Sequence, residues 1–168
     1  MKRRDLLWLL VYPLYQLIGT ARHEAGHALV AWLEGSPVEK FVFWPTWGES
    51  GLRWGYIVWG GPVSNMAVFG PYVLDLLTFL IALLLSTRLR FRRHWLWLNV
   101  VILGMISPLA NSLYNYLGGF FRSNDVGWLL ERWPSGLIHG YFLMTLGLYL
   151  IGVIWSFRHP QGRQVDAS

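Results

Sequence analysis

Four stretches of this chain, residues 6–33, 62–86, 95–117 and 137–157, are apolar for long enough to cross a bilayer core of about 30 Å as helices. In lipid, every backbone N–H and C=O must be satisfied within the protein. Helices and closed barrels are then the only spanning structures available. Composition points the same way. Of 168 residues, 54% are hydrophobic and only 14% are charged, where soluble domains carry about a quarter. The net charge of +5 does not indicate nucleic acid, because the basic residues stand in short clusters beside apolar segments. Cysteine is absent, which removes disulfides, thiol catalysis and cysteine metal ligation.

The expected fold is an all-α membrane protein of about four transmembrane helices, with a short membrane-associated β-hairpin between the first two. It reads as a single domain over residues 1–160 with a polar tail at 161–168. Lys2, Arg3 and Arg4 before the apolar run starting at Leu6 give it the outline of a signal peptide with a cut near Ala21. The helical pattern continues unbroken through Leu33, so the expectation is one retained helix, kinked near Pro13 and ended by Gly35-Ser36-Pro37. Residues 38–60 are rich in β-formers, among them Phe41, Phe43, Trp44, Trp54, Tyr56 and Trp59, and are split by Gly48 and Gly51, which predicts the hairpin. Pro62 is expected in the first turn of the second helix, and residues 118–135 are expected to be a polar loop.

The clusters Lys2–Arg4, Arg88–Arg93 and Arg158 with Arg163 share one side if four spans are present. The positive-inside rule makes that side cytoplasmic, with both termini in. The expected location is thus multi-pass, in the plasma membrane of a prokaryote. Trp44, Trp47, Trp54, Trp59, Trp128 and Trp133 would form an aromatic belt on the opposite face.

Within the first helix stands His23-Glu24-Ala25-Gly26-His27. Residues four apart lie on one helix face, so both imidazoles can reach one metal ion. Glu24 is rotated aside, where it can polarise a bound water without being a ligand. Insertion scales put one charged residue at mid-bilayer at about 2.5–3.5 kcal/mol, so such a group is expected to have a use. The alternative is a helix whose histidines merely hydrogen-bond neighbouring helices.

Zinc hydrolases usually take three protein ligands and leave the fourth position to water. The candidates for the third are Asp75, His94, Asp125, Glu131 and His139. His94 lies beside the arginine loop, His139 has no companion motif, and Glu131 adjoins Arg132. Asp75 is near mid-span and could reach a deep site or make a polar contact between helices. Asp125, in Ser123-Asn124-Asp125-Val126-Gly127, follows the third helix on the side of the histidines and is the preferred choice. Its alternative role is the N-cap of a helix from Val126 onward.

Three features together, His23-Glu24-Ala25-Gly26-His27, then Gly61-Pro62-Val63-Ser64-Asn65, then an Asn-bearing third helix leading to an Asp, resemble the site-2 protease family of intramembrane zinc metalloproteases. The resemblance covers roughly residues 15–130 in order and spacing. It implies zinc as cofactor, held by His23, His27 and Asp125, with Glu24 as general base and then proton donor. It further implies that Asn65 and one of Asn111 or Asn115 orient the substrate backbone or the oxyanion. Pro108 precedes the asparagines here, and Val126 separates Asp125 from Gly127, whereas the family places Pro after its Asn and Gly directly after its Asp.

The implied activity is an intramembrane endopeptidase that cuts within or next to a transmembrane segment of another protein. Its partners would be that transmembrane substrate and the lipid bilayer, with no nucleic acid; a homo-oligomer is left open. The alternative is a catalytically degenerate relative that binds a membrane protein without cutting it.

Overall fold

The structure is a computed structural model that describes residues 10–48, 51–121 and 124–158. The basic cluster Lys2–Arg4, the start of the first apolar run and the tail 161–168 lie outside these residues. The chain divides into two compact units, Met1–Pro71 and Tyr72–Ser168.

The first unit begins with helix α1, Tyr12–Leu33. Leu10 is helical as well, and the helical path is interrupted at Val11, beside the Pro13 where a kink is expected. Val11 takes a turn conformation, and α1 starts just after it with Pro13 in its first turn. The ring lacks an N–H and would clash with the carbonyl four residues back, so the first turn is where it is tolerated. The other end closes as the Gly35-Ser36-Pro37 sequence predicts. Gly35 adopts φ +75°, the Ser36 N–H donates to Ala31 O at 2.8 Å and the Gly35 N–H to Trp32 O at 3.0 Å. Those two bonds make a Schellman cap, whose left-handed residue is best supplied by glycine.

The predicted hairpin is present as two short antiparallel ladders. Strand β1 (Val38–Val42) pairs with β4 (Tyr56–Trp59), and β2 (Thr46–Gly48) pairs with β3 (Gly51–Arg53). Phe43-Trp44-Pro45 and Trp54-Gly55 interrupt the pairing, and Pro45 has no N–H to give a ladder. β1 and β4 pack against α1. Trp44, Trp47, Leu52 and Trp54 are exposed, Trp47 most of all at 82%.

Helix α2, Asn65–Arg88, begins three residues after Pro62, which therefore lies before the first turn rather than in it. Ser64 takes the capping position: its Oγ accepts from Ala67 N at 2.9 Å and donates to Glu34 Oε1 at 2.8 Å. A side-chain oxygen that satisfies an orphan N–H is a better helix start than a proline ring alone.

In the second unit, α3 (His94–Val101), a π-helical turn (Ile102–Ile106) and α4 (Ser107–Gly118) follow one another without a break. Pro108 explains the wide turn. It cannot donate to residue 104, and the i→i+5 bond from Ser107 N–H to Ile102 O makes room for its ring. Residues 118–135 are not simply a loop, since α5 spans Asp125–Arg132. Its Val126 and Leu129 are fully buried, an i, i+3 pair that gives this short polar stretch one apolar stripe. Helix α6, Ser135–Arg158, completes the chain's described part.

The core of this unit is aromatic. Tyr72 meets Phe142 at 4.9 Å, Phe79 meets Tyr149 at 4.6 Å, and Tyr116 stacks on Phe142 at 5.1 Å. Gly104 admits the Ala82 methyl, and Gly152 admits the Phe79 ring. Such small residues let apolar helices approach where lipid offers no hydrophobic drive between them.

Among the described residues, three helices are long and apolar enough to cross a membrane: Asn65–Arg88, His94–Gly118 and Ser135–Arg158. The expected fourth, α1, is not among them. Gln16, Arg22, His23, Glu24 and His27 interrupt its apolar run.

Candidate metal centre

The motif helix presents its polar residues inward. His23, Glu24 and His27 are 7%, 6% and 5% exposed, although all three are among the costliest side chains to take from water. The imidazoles stand edge to face, with ring centroids 4.9 Å apart, as expected for residues one helical turn apart.

His27 is oriented by the start of α2. Its Nδ1 lies 2.8 Å from Ala67 O. A carbonyl only accepts, so Nδ1 is the donor here and Nε2 is the nitrogen that could act as a metal ligand. A backbone carbonyl behind a histidine is the usual way in which a metal-binding imidazole is held in one tautomer. Gly26 makes this approach feasible. A Cβ there would lie 2.5 Å from Pro71 Cα, and one at Gly70 would lie 2.7 Å from Gly26 O. The glycine inside the motif is thus a packing requirement, because the two backbones nearly touch.

The hairpin lines the other side of the same residues. A Cβ on Gly55 would fall 2.9 Å from Glu24 Oε1 and 2.6 Å from Thr20 Cγ2. The Trp59 ring stands edge-on to His27 at 5.7 Å. Glu24 is therefore bounded by a strand break that only glycine fits.

His23 and His27 offer two imidazoles from one face of α1 in the first unit, and Asp125 belongs to the second unit. Two imidazoles and a carboxylate are an ordinary donor set for zinc. Asp125 opens α5, and the capping role goes to its neighbour: Asn124 Oδ1 accepts from Gly127 N at 2.9 Å. Asn124 thereby relieves Asp125 of the alternative role that its position allowed.

The other candidates are engaged elsewhere. Asp75, completely buried, accepts from Asn111 Nδ2 at 2.7 Å. His139 Nδ1 lies 3.0 Å from the Tyr116 hydroxyl and its ring stacks on Phe120. Glu131 is exposed, with Oε2 3.5 Å from Arg132 Nη1. His94 stacks on Trp97 at 5.5 Å.

Of the three asparagines expected at the substrate, Asn65 is the first residue of α2 and half-buried. Asn111 and Asn115 bond to each other: Asn115 Nδ2 donates to Asn111 O and Oδ1, both at 3.1 Å. Sequence reasoning missed Ala67, Gly55, Trp59 and Asn124. Only Asn124 left a signal, as an Asn three residues before a Gly at a helix start.

No protein-family model, curated protein or solved structure matches this chain.

Proposed function

We propose that this protein is a zinc-dependent intramembrane endopeptidase, similar to the site-2 proteases, which hydrolyses a peptide bond within or beside a transmembrane segment of another protein. The observation that carries the reading is the burial of His23, Glu24 and His27 together on α1, with His27 Nδ1 2.8 Å from the Ala67 carbonyl oxygen. The three helices apolar enough to span a bilayer supply the setting.

His23, His27 and Asp125 would hold the zinc. Zinc in such a site supplies Lewis acidity, activating water and polarising the scissile carbonyl. Glu24 takes the proton from the attacking water and then passes it to the leaving amine, a role suited to a carboxylate set beside the ligands rather than among them. The Ala67 carbonyl keeps the His27 tautomer fixed through the cycle. A transmembrane substrate helix hides its peptide bonds in internal hydrogen bonds, so it must unwind locally before water can reach one. Asn65 stands at the entrance to α2 as a polar group for the released backbone. The arginine-rich loop after α2 is read as facing the cytoplasm.

The test is metal analysis of the purified protein beside His23→Ala and Asp125→Ala, with cleavage of a transmembrane substrate measured for Glu24→Gln. The expected outcome is one zinc per chain, lost or strongly weakened in the ligand variants. Glu24→Gln should retain zinc and lose at least about 100-fold in cleavage, within the range of general acid–base contributions. Full cleavage by Glu24→Gln refutes the mechanism. Zinc bound without cleavage of any substrate favours a binding relative instead.

A further inference from the structure

Hydrogen bonds to the side chains and backbone of α4 link mid-span Asp75 to the start of α5 in the second unit. Asn111 Nδ2 donates to Asp75 Oδ2 at 2.7 Å. Asn115 Nδ2 donates to Asn111 Oδ1 at 3.1 Å. Asn124 Nδ2 donates to Asn115 O at 2.9 Å, and Asn124 Oδ1 accepts from Gly127 N at 2.9 Å. The next residue after Asn124 is Asp125.

The direction of these bonds is not arbitrary. An amide can face either way, and its neighbours decide which way it faces. The Asp75 oxygen accepts, so the Asn111 NH₂ turns toward it and Asn111 Oδ1 turns away, toward Asn115. That oxygen in turn draws the Asn115 NH₂. Asn124 reaches the carbonyl of Asn115 with its NH₂, which leaves Oδ1 for the helix cap. Asn111 and Asn115 thus donate toward the buried carboxylate, and Asn124 is held by the main-chain carbonyl of Asn115 on the same helix as Asn111. Packing closes the upper end. A Cβ on Gly118 would lie 2.8 Å from Asn124 Nδ2, and one on Gly119 would lie 2.9 Å from Val126 Cβ.

We infer that Asp75 is a positioning residue for Asp125: by anchoring Asn111 it fixes the end of α4, whose Asn115 carbonyl holds Asn124 and so orients the N-terminus of α5 and the carboxylate offered to the metal. This rests on the metalloprotease reading for the role of Asp125, but the ladder itself does not. Asp75 was one candidate for the third ligand, and the inference gives it a different task in the same centre. It also gives Asn111 and Asn115 a task that does not require contact with substrate.

Two measurements on the full-length protein in nanodiscs separate these layers. One is amide hydrogen exchange at residues 124–130, and the other is zinc affinity by chelator competition. The variants are Asp75→Leu, which fills the space without an acceptor, Asp75→Asn, which keeps an oxygen for Asn111, and Thr78→Val. Thr78 sits on the same helix and donates to its own helix at Leu74 O, 2.7 Å away.

Asp75→Leu should speed exchange at 124–130 about 10-fold and weaken zinc about 10- to 100-fold, the range for loss of outer-shell partners. Asp75→Asn should restore most of both, and Thr78→Val should leave both near wild type. Unchanged exchange at 124–130 in Asp75→Leu overturns the inference whether or not zinc binds. So does equal loosening of every helix in Asp75→Leu and Asp75→Asn alike, which would mean general destabilisation. Local loosening in a protein that binds no zinc refutes the metalloprotease reading instead, and leaves the ladder as the anchor of α5.

Discussion

The motif His23-Glu24-Ala25-Gly26-His27 works through residues that do no chemistry. Gly26 is placed where a Cβ would meet Pro71 Cα at 2.5 Å, which is backbone and cannot swing aside. Gly26→Val should therefore destabilise the protein by about 1–3 kcal/mol, the usual cost of overpacking, measured by thermal unfolding in detergent. Gly55 is a sharper probe. Its added methyl would press on Glu24 Oε1 at 2.9 Å and on Thr20 Cγ2 at 2.6 Å. Gly55→Ala should lower cleavage about 10-fold or more while zinc content holds, since a displacement of the order of 1 Å at a reacting group costs about that much or more. Wild-type turnover in Gly55→Ala would separate Glu24 from catalysis. At this scale the sequence showed the donors, because helical spacing alone puts His23 and His27 on one face. It hid the supports, because a carbonyl such as Ala67 O has no signature in residue type.

Element boundaries were legible where local chemistry decides them. Gly35 and Ser36 end α1 by a cap that needs one left-handed residue, and the sequence supplies it. Gly35→Ala would force a Cβ into that conformation and should cost about 1 kcal/mol, checked by thermal unfolding. The start of α2 was misplaced because Pro62 and Ser64 both offer a beginning, and only the Ser64 bond to Ala67 N distinguishes them. Ser64→Ala should cost about 1 kcal/mol as a lost cap. Helix α5 was missed for another reason. Eight residues with Gly127, Glu131 and Arg132 have little helical promise alone, and short helices owe their stability to tertiary packing. Val126 and Leu129 supply that packing here.

Across the whole molecule, the three apolar helices and the arginine clusters lead to a concrete topology. The chain has no cysteine, so single cysteines report without background. Arg90→Cys should react with an impermeant thiol reagent only from the cytoplasmic side, and Trp47→Cys only from the opposite side. The reverse pattern would invert the proposed orientation. The membrane character, the capped helix ends and the histidine pair were determined by the sequence itself, since hydropathy, turn chemistry and 3.6-residue periodicity act over a few neighbouring residues. The carbonyl behind His27 and the bonds from Asp75 to Asn111 and from Asn124 to Asn115 were decided only by tertiary structure. Each depends on which groups from distant parts of the chain come within about 3 Å, the range in which a hydrogen bond forms. No local pattern encodes that distance.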